Sequence, residues 1–350
     1  MKQRSITADV LKGLAVIFMI QVHIMEVFAD TSIYHSLTGK ISLFLGGPPA
    51  APVFMAVMGY FLAASSKGMM QTITRGFKLI LGGLALNVAI NLNLLYRIIS
   101  GTSDTNPLTF VFGIDILVLA GFTVVITGLL KKLFDLNFVI PLAVGMMILA
   151  VTPMVNDALP ATGGTSAYLF SVFGGEAAWS YFPLFPWMAY PFFGYSAFLF
   201  IKSGYTIPLD DNRVSAVFLT VWAVFIALTI NYGIGIAANL KEYYHHGILY
   251  GLWVLAFTAG FAHLISRIAT ALPDSPFLEY FATIGRNVTL AYVVQWVIIG
   301  NTGTAIYRSL DLRDSYVAFI LVMLVTSGVV YLKENGYFPK IWKSRSQIVV

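Results

Sequence analysis

Residues 6–28 read ITADVLKGLAVIFMIQVHIMEVF. The stretch is long and apolar enough to cross a bilayer, for which about 20 residues suffice. Yet it carries Asp9, Lys12, His23 and Glu26. A helix rises about 1.5 Å and turns about 100° per residue, so Lys12 and His23 share a face about 16 Å apart. Asp9 and Glu26 each lie one turn away on the same side. Ionisable groups are costly in hydrocarbon and usually face a bundle interior or a water-filled path. The first helix reads as the wall of a site.

The rest of the chain agrees with a membrane setting. Of 350 residues, 58% are hydrophobic and 11% charged, and the mean hydropathy is +0.81. Soluble domains carry roughly 25% charged residues. The fold class expected is an all-α, polytopic integral-membrane bundle forming a single domain over 1–350. The first helix is longer and more polar than a cleaved leader, so it is read as a span. There is no cysteine, which excludes disulfides, thiolate nucleophiles and Cys-held metals.

Apolar runs of spanning length fall at 9–29, 49–66, 77–96, 110–130, 137–155, 182–202, 214–238, 247–267, 281–301 and 315–332, ten in all. With the N-terminus inside, sixteen of the 21 Lys and Arg residues lie on the cytoplasmic side. The exceptions are Lys40, Arg97, Lys241, Arg308 and Arg313. Both termini are therefore expected in the cytoplasm. The net charge of +5 is explained by this bias and calls for no nucleic-acid partner. No internal repeat is evident, which argues against an inverted-repeat transporter.

Several residues can carry chemistry. His23 with Glu26 one turn later is arranged as a general base and its orienting carboxylate; the alternative is a histidine hydrogen-bonded between helices. His35 is a second candidate in a loop. His245 and His246 are adjacent, so they point apart on a helix, and no carboxylate pattern joins them; no metal is expected. Arg4, Asp9, Lys12, Arg75, Lys78 and Arg286 gather near the cytoplasmic surface. They read either as a basic ring for a polyphosphate or as snorkelling cations with a structural Asp9–Lys12 pair. Asn87, Asn91, Asp115, Asn287 and Gln295 are polar positions within spans, suited to interhelical bonding or substrate contact. Proline-rich GGPPAAP (46–52) and FPLFPW (182–187), the latter containing Trp187, interrupt helices where backbone lines a cavity.

The opening RSITADVLKGLAVIFMIQVH (4–23) resembles the start of the transmembrane acyltransferases. Two branches share it, bacterial acyltransferase family three and the heparan-α-glucosaminide N-acetyltransferase catalytic domain. Both place Arg–Gly after an Asp three residues earlier; here Asp9, Lys12 and Gly13 match, with Lys in place of Arg. Lysine keeps the charge but loses the planar fork that grips phosphate bidentately. Family three has an essential His after ten further residues, a spacing that Lys12 and His23 reproduce.

Downstream, PVFMAVMGYFLAAS (52–65), FGIDILVLAGF (112–122), YFPLFPWMAYPFFG (181–194) and IGRNVTLAYVVQW (284–296) resemble the heparan branch in the same order. In that branch the position of His23 is commonly Asn, and the catalytic His lies in the first outer loop, where His35 stands in IYHSLTG. The resemblance implies an acetyl-CoA-dependent acyltransferase without metal, acting on a sugar or glycan across the bilayer, in a bacterial cytoplasmic membrane. The basic residues would hold CoA; His23 or His35, with Glu26, would do the chemistry. Asn87, Asn91, Asp115, Trp187, Asn287 and Gln295 would contact the substrates. A secondary transporter of a sugar or amphiphile, or a non-catalytic member of the fold, are the alternatives.

Overall fold

The computed structural model describes residues 6–159, 166–205 and 207–337. These residues form helices joined by turns, with no strand among them. Among the described residues nine helices are long and apolar enough to cross a membrane, and a tenth crossing arises if Pro276–Arg286 and Val288–Ile306, bent by 80°, count as one. The ten expected runs are thus recovered with one change of character, since the expected span 281–301 is an elbow broken at Asn287.

Three other boundaries move. The expected span 77–96 is the helix Met69–Ile90, followed by a separate short helix, Leu92–Ile99. The expected span 110–130 begins later, as Ile116–Phe134, because Asp115 caps it: its Oδ1 accepts from the N–H groups of Leu117 and Val118, both at 3.0 Å. An Asp in that position satisfies donors that the first turn leaves open. The expected span 49–66 begins earlier, because the helices Leu37–Gly46 and Ala51–Ala64, interrupted at Gly47–Ala50, make up the span Leu37–Ala64 together.

The chain divides into two compact units, one from 1–54, 90–94 and 261–350, the other from 55–89 and 95–260. In the first unit, Val16, Ile20, Ile24 and Phe28 form an i, i+4 stripe on the first helix, Ile6–Val27, and the turn after it. The stripe packs on Ile284, Ala291 and Ile299 of the elbow and on Val322 and Val330 of the last helix, Leu312–Glu334. Backbones approach very closely where the first helix crosses the elbow. A Cβ built at Gly285 would collide with the Asp9 carbonyl and lie 2.9 Å from the Gly13 nitrogen; one at Gly13 would collide with the Phe281 carbonyl. Small residues permit such crossings in membrane bundles. Gln21 joins the first helix to Leu37–Gly46, donating from Nε2 to the Ser42 carbonyl at 2.9 Å and accepting from Ser42 Oγ at 2.6 Å.

The second unit is built on aromatic side chains. Trp187, Tyr190, Phe192, Tyr195 and Phe134 are all fully buried. Helix Ala189–Lys202 lies so close to the 55–64 part of Ala51–Ala64 that a Cβ at Gly59 would collide with the Pro191 carbonyl, and one at Gly194 with the Ala56 carbonyl.

Candidate functional site

His23 stands in the first unit, on the first helix, against the second limb of the elbow. Its Nδ1 is 3.3 Å from Gln295 Oε1, and its ring centroid is 3.9 Å from that of Trp296, with planes inclined by 34°. An amide oxygen only accepts, so His23 Nδ1–H is the donor. The lone pair is then on Nε2, the arrangement a base requires. Gln295 is completely buried, and its Nε2 has no hydrogen-bond partner among the described residues. A buried donor without a partner is costly, about 1–3 kcal/mol.

Glu26 has a different neighbour from the one expected. The imidazole is oriented by Gln295, while Glu26 is drawn electrostatically to Arg308. Arg308 follows the elbow helix, in a segment laid alongside the end of the first helix. Arg308 N–H donates to the Val27 carbonyl at 2.9 Å, Leu310 N–H to Phe28 at 2.9 Å, and Asp30 N–H to Leu310 at 2.8 Å. Arg308 adopts φ +50°, an uncommon conformation for a residue with a Cβ. Such outliers persist where the surroundings over-determine them, and they cluster at functional sites.

The guanidinium lies 4.4 Å above the Tyr34 ring, a cation–π distance, and its Nε is buried with no hydrogen-bond partner among the described residues. Burial, then the charge of Glu26, pushes the Tyr34 phenol above its usual pKa, against the opposing pull of Arg308. His35 touches the same group from outside. It is exposed, ends the short helix Thr31–Tyr34, and sets its ring edge-on to Tyr34 at 5.0 Å. The cluster is therefore His23, Gln295, Trp296, Glu26, Arg308, Tyr34 and His35. Sequence reasoning missed Arg308, although its place among the few basic residues off the cytoplasmic side was a signal.

The other end of the polar face is more neutral than a basic ring. Lys12 Nζ is 2.8 Å from Asp9 Oδ1, and Asp9 is buried. Arg286 pairs with Glu279 and donates to Thr283 Oγ1 at 2.6 Å. Asn287, at the elbow, accepts from Lys333 Nζ at 2.6 Å and donates to Glu334 Oε1 at 2.7 Å. In the first unit, then, Lys12 and Arg286 each face a carboxylate, and Asn287 ties the elbow to the last helix. Arg75, half-buried, and Lys78, exposed, belong to the second unit. Arg4 lies outside the described residues.

The remaining expected substrate contacts have local tasks. Asn87 Nδ2 donates to the carbonyls of Gly113 at 2.8 Å and Val111 at 3.1 Å. Asn91 falls in the break after Met69–Ile90, so it does not continue the helical face of Asn87. Asp115 is a helix cap, and Trp187 is a core residue whose Nε1 donates to the Tyr244 carbonyl at 2.8 Å. Among the described residues no three His, Cys, Asp or Glu are grouped to hold a metal ion.

Fold and site together define a polytopic helical membrane protein with a histidine-centred polar cluster. Comparison with protein families places it further. Residues 4–206, more than half of the chain, match the family described as heparan-alpha-glucosaminide N-acetyltransferase, catalytic, and the chain belongs to that family. Membership makes it a membrane acetyltransferase-like protein. No curated protein and no solved structure matches the chain. The matched region includes His23, Glu26 and His35 but ends well before Gln295 and Arg308.

Proposed function

We propose that this protein transfers an acetyl group from cytoplasmic acetyl-CoA to a hydroxyl or amine of a sugar on the opposite membrane face, with His23 as the general base. The observation that carries the reading is the His23–Gln295 pair, which leaves Nε2 of the imidazole as the proton acceptor. The acceptor's O–H or N–H gives its proton to Nε2 as its heteroatom attacks the thioester carbonyl. The C–S bond breaks, the CoA sulfur leaves as thiolate, and the imidazolium returns the proton to it. Gln295 Nε2, buried without a partner among the described residues, is the donor for the carbonyl oxygen as negative charge develops there. Arg308, held over Tyr34 beside Glu26, orients the acceptor.

The donor's phosphates bind at the other end of the same helix. Lys12 supplies a point charge and Arg286 a planar fork, each exchanging a carboxylate for phosphate; Arg4 is a further candidate for this task. The Lys12–His23 rise of about 16 Å is comparable to the pantetheine arm, so the thioester reaches the imidazole. Charge bias supports both termini in the cytoplasm; the membrane proposed is a bacterial cytoplasmic membrane.

The test uses full-length protein in detergent. Acetyl-CoA should raise its melting temperature, since ligand at 100 times Kd adds about 2.7 kcal/mol, and CoA should be released when methyl α-glucosaminide is added. Lys12→Ala should weaken the shift and Lys12→Arg preserve it. No shift at millimolar acetyl-CoA refutes the donor site.

A further inference from the structure

The imidazole of His23 is gripped twice by neighbouring residues of one helix. Gln295 and Trp296 are consecutive on Val288–Ile306, the second limb of the elbow, and so leave it about 100° apart. Both nevertheless reach the same ring, one at its edge and one at its face. Gln295 Oε1 accepts the Nδ1–H at 3.3 Å, and the Trp296 ring covers the imidazole with centroids 3.9 Å apart and planes inclined by 34°. Aromatic pairs commonly sit with centroids roughly 4.5–7 Å apart, so this is a close face contact. The edge bond fixes which nitrogen meets the elbow, and the face contact fixes the plane of the ring. Nε2 is the ring nitrogen left for chemistry.

The indole is supported in turn. Trp296 packs against the core cluster that contains Ile20 and Ile24 of the first helix and Ile299 of its own. Packing alone would account for an apolar side chain at this crossing, and leucine would serve it nearly as well. Charge calls for more. Once Nε2 has taken the acceptor's proton, the ring is a cation inside the bundle, and a buried cation without a counter-charge is costly. Glu26 is not that counter-charge. Burial and the Gln295 bond are what act on His23, while Glu26 is drawn to Arg308.

An electron-rich ring face attracts a cation, and Trp does so better than Tyr or Phe. It holds a neutral imidazole much less strongly. The contact is therefore firmer with the proton on Nε2 than with it off, and an interaction that strengthens along the reaction speeds the step instead of only tightening binding.

We propose, on the reading of His23 as the base, that Trp296 is its positioning residue. The indole face holds the imidazole plane and bears the imidazolium's charge while the proton stays on Nε2, from the acceptor's attack until that proton returns to the CoA thiolate. Trp296 lies outside the region that the family match covers.

The test replaces Trp296 by mono-, di- and trifluorotryptophan in full-length protein in detergent. Fluorine drains negative charge from the ring face and leaves its shape almost unchanged, so a packing role is blind to it. Single-turnover transfer from acetyl-CoA to methyl α-glucosaminide should slow stepwise with each fluorine, about two- to thirtyfold in all. Melting temperature and acetyl-CoA affinity should stay constant. Trp296→Tyr should keep part of the rate and Trp296→Leu the least. Equal rates across the fluorinated series overturn the inference.

A second readout needs no turnover. Imidazolium quenches indole emission, so the emission difference between the parent and Trp296→Phe should fall between pH 7 and 4, and His23→Gln should abolish that fall. Trp187, which touches His246 at 5.4 Å, is common to these proteins and cancels. A difference that ignores pH, or a fall that survives in His23→Gln, also overturns the inference. Failure of the base reading looks different. Transfer that survives in His23→Ala refutes the base and this role with it; transfer lost there but indifferent to fluorine overturns this role alone. No transfer by the parent, with His23-dependent quenching of Trp296 intact, refutes the proposed reaction and sustains the indole–imidazolium pair.

Discussion

Replacing Gln295 by leucine separates function from stability. Gln295 is completely buried; its Oε1 accepts from His23 at 3.3 Å, while its Nε2 has no partner among the described residues. The leucine would leave the His23 Nδ1–H without its acceptor, a penalty of about 1–3 kcal/mol, but would also remove the buried, unpaired amide nitrogen, a penalty of similar size. The two terms cancel to within about 1–2 kcal/mol, so Gln295→Leu should melt close to the temperature of the parent. Its transfer rate should nevertheless fall about 100-fold, because both the orienting acceptor of His23 and the donor to the thioester oxygen are gone. Thermal melting followed by intrinsic fluorescence, alongside a thiol-release assay for CoA, reads both quantities on one preparation. A variant that melts several degrees lower yet turns over normally would refute the reasoning, because Gln295 would then be structural only.

Three other perturbations have defined outcomes. Gly285→Ala should force the elbow away from the first helix, since its Cβ would lie 2.9 Å from the Gly13 nitrogen and collide with the Asp9 carbonyl; a loss of about 1–3 kcal/mol should lower the melting temperature, and an unchanged melt contradicts the crossing. Arg308→Gly relieves the φ +50° conformation while deleting the guanidinium, so transfer should drop with stability nearly retained; Arg308→Ala should lose both. Burial lowers the pKa of His245 and of His246 from 6.5 to about 4. The folded chain thus resists protonation, its contribution to stability is complete above pH 6.5, and it is lost as pH falls toward 4. Melts between pH 7 and 4 should show this loss, and His246→Gln should show a smaller one; equal slopes in the two proteins argue against the assignment.

Much of this is legible in residue pattern, and the misses have physical causes. The polar face of the first helix is readable because helical spacing fixes which side chains share a side, and Asp9–Lys12 and His23 are both engaged by the elbow or within the helix. The elbow itself is not, because a hydropathy window registers composition and carries no information on direction; an 80° bend at Asn287 leaves the average unchanged. Asp115 looks like a costly charge inside a span, yet it is the cap at the span's start; the N-cap preference of Asp is the signal that finds it. Asn87 is legible as a buried amide but not as the partner of the Val111 and Gly113 carbonyls, which depends on how a loop folds back. Arg308 reads as one more loop cation, because its position beside Tyr34 depends on a strap that pairs it with Val27, far away in sequence.

Single-turnover acetyl transfer by His23→Ala and His35→Ala, each reconstituted with acetyl-CoA and methyl α-glucosaminide, puts the histidine assignment to the most direct trial. His23→Ala should lose at least about 100-fold in rate, the typical reach of general-base catalysis, while still binding acetyl-CoA, and the exposed His35→Ala should remain within a few-fold of the parent. Full turnover without His23, or its loss without His35, contradicts the assignment.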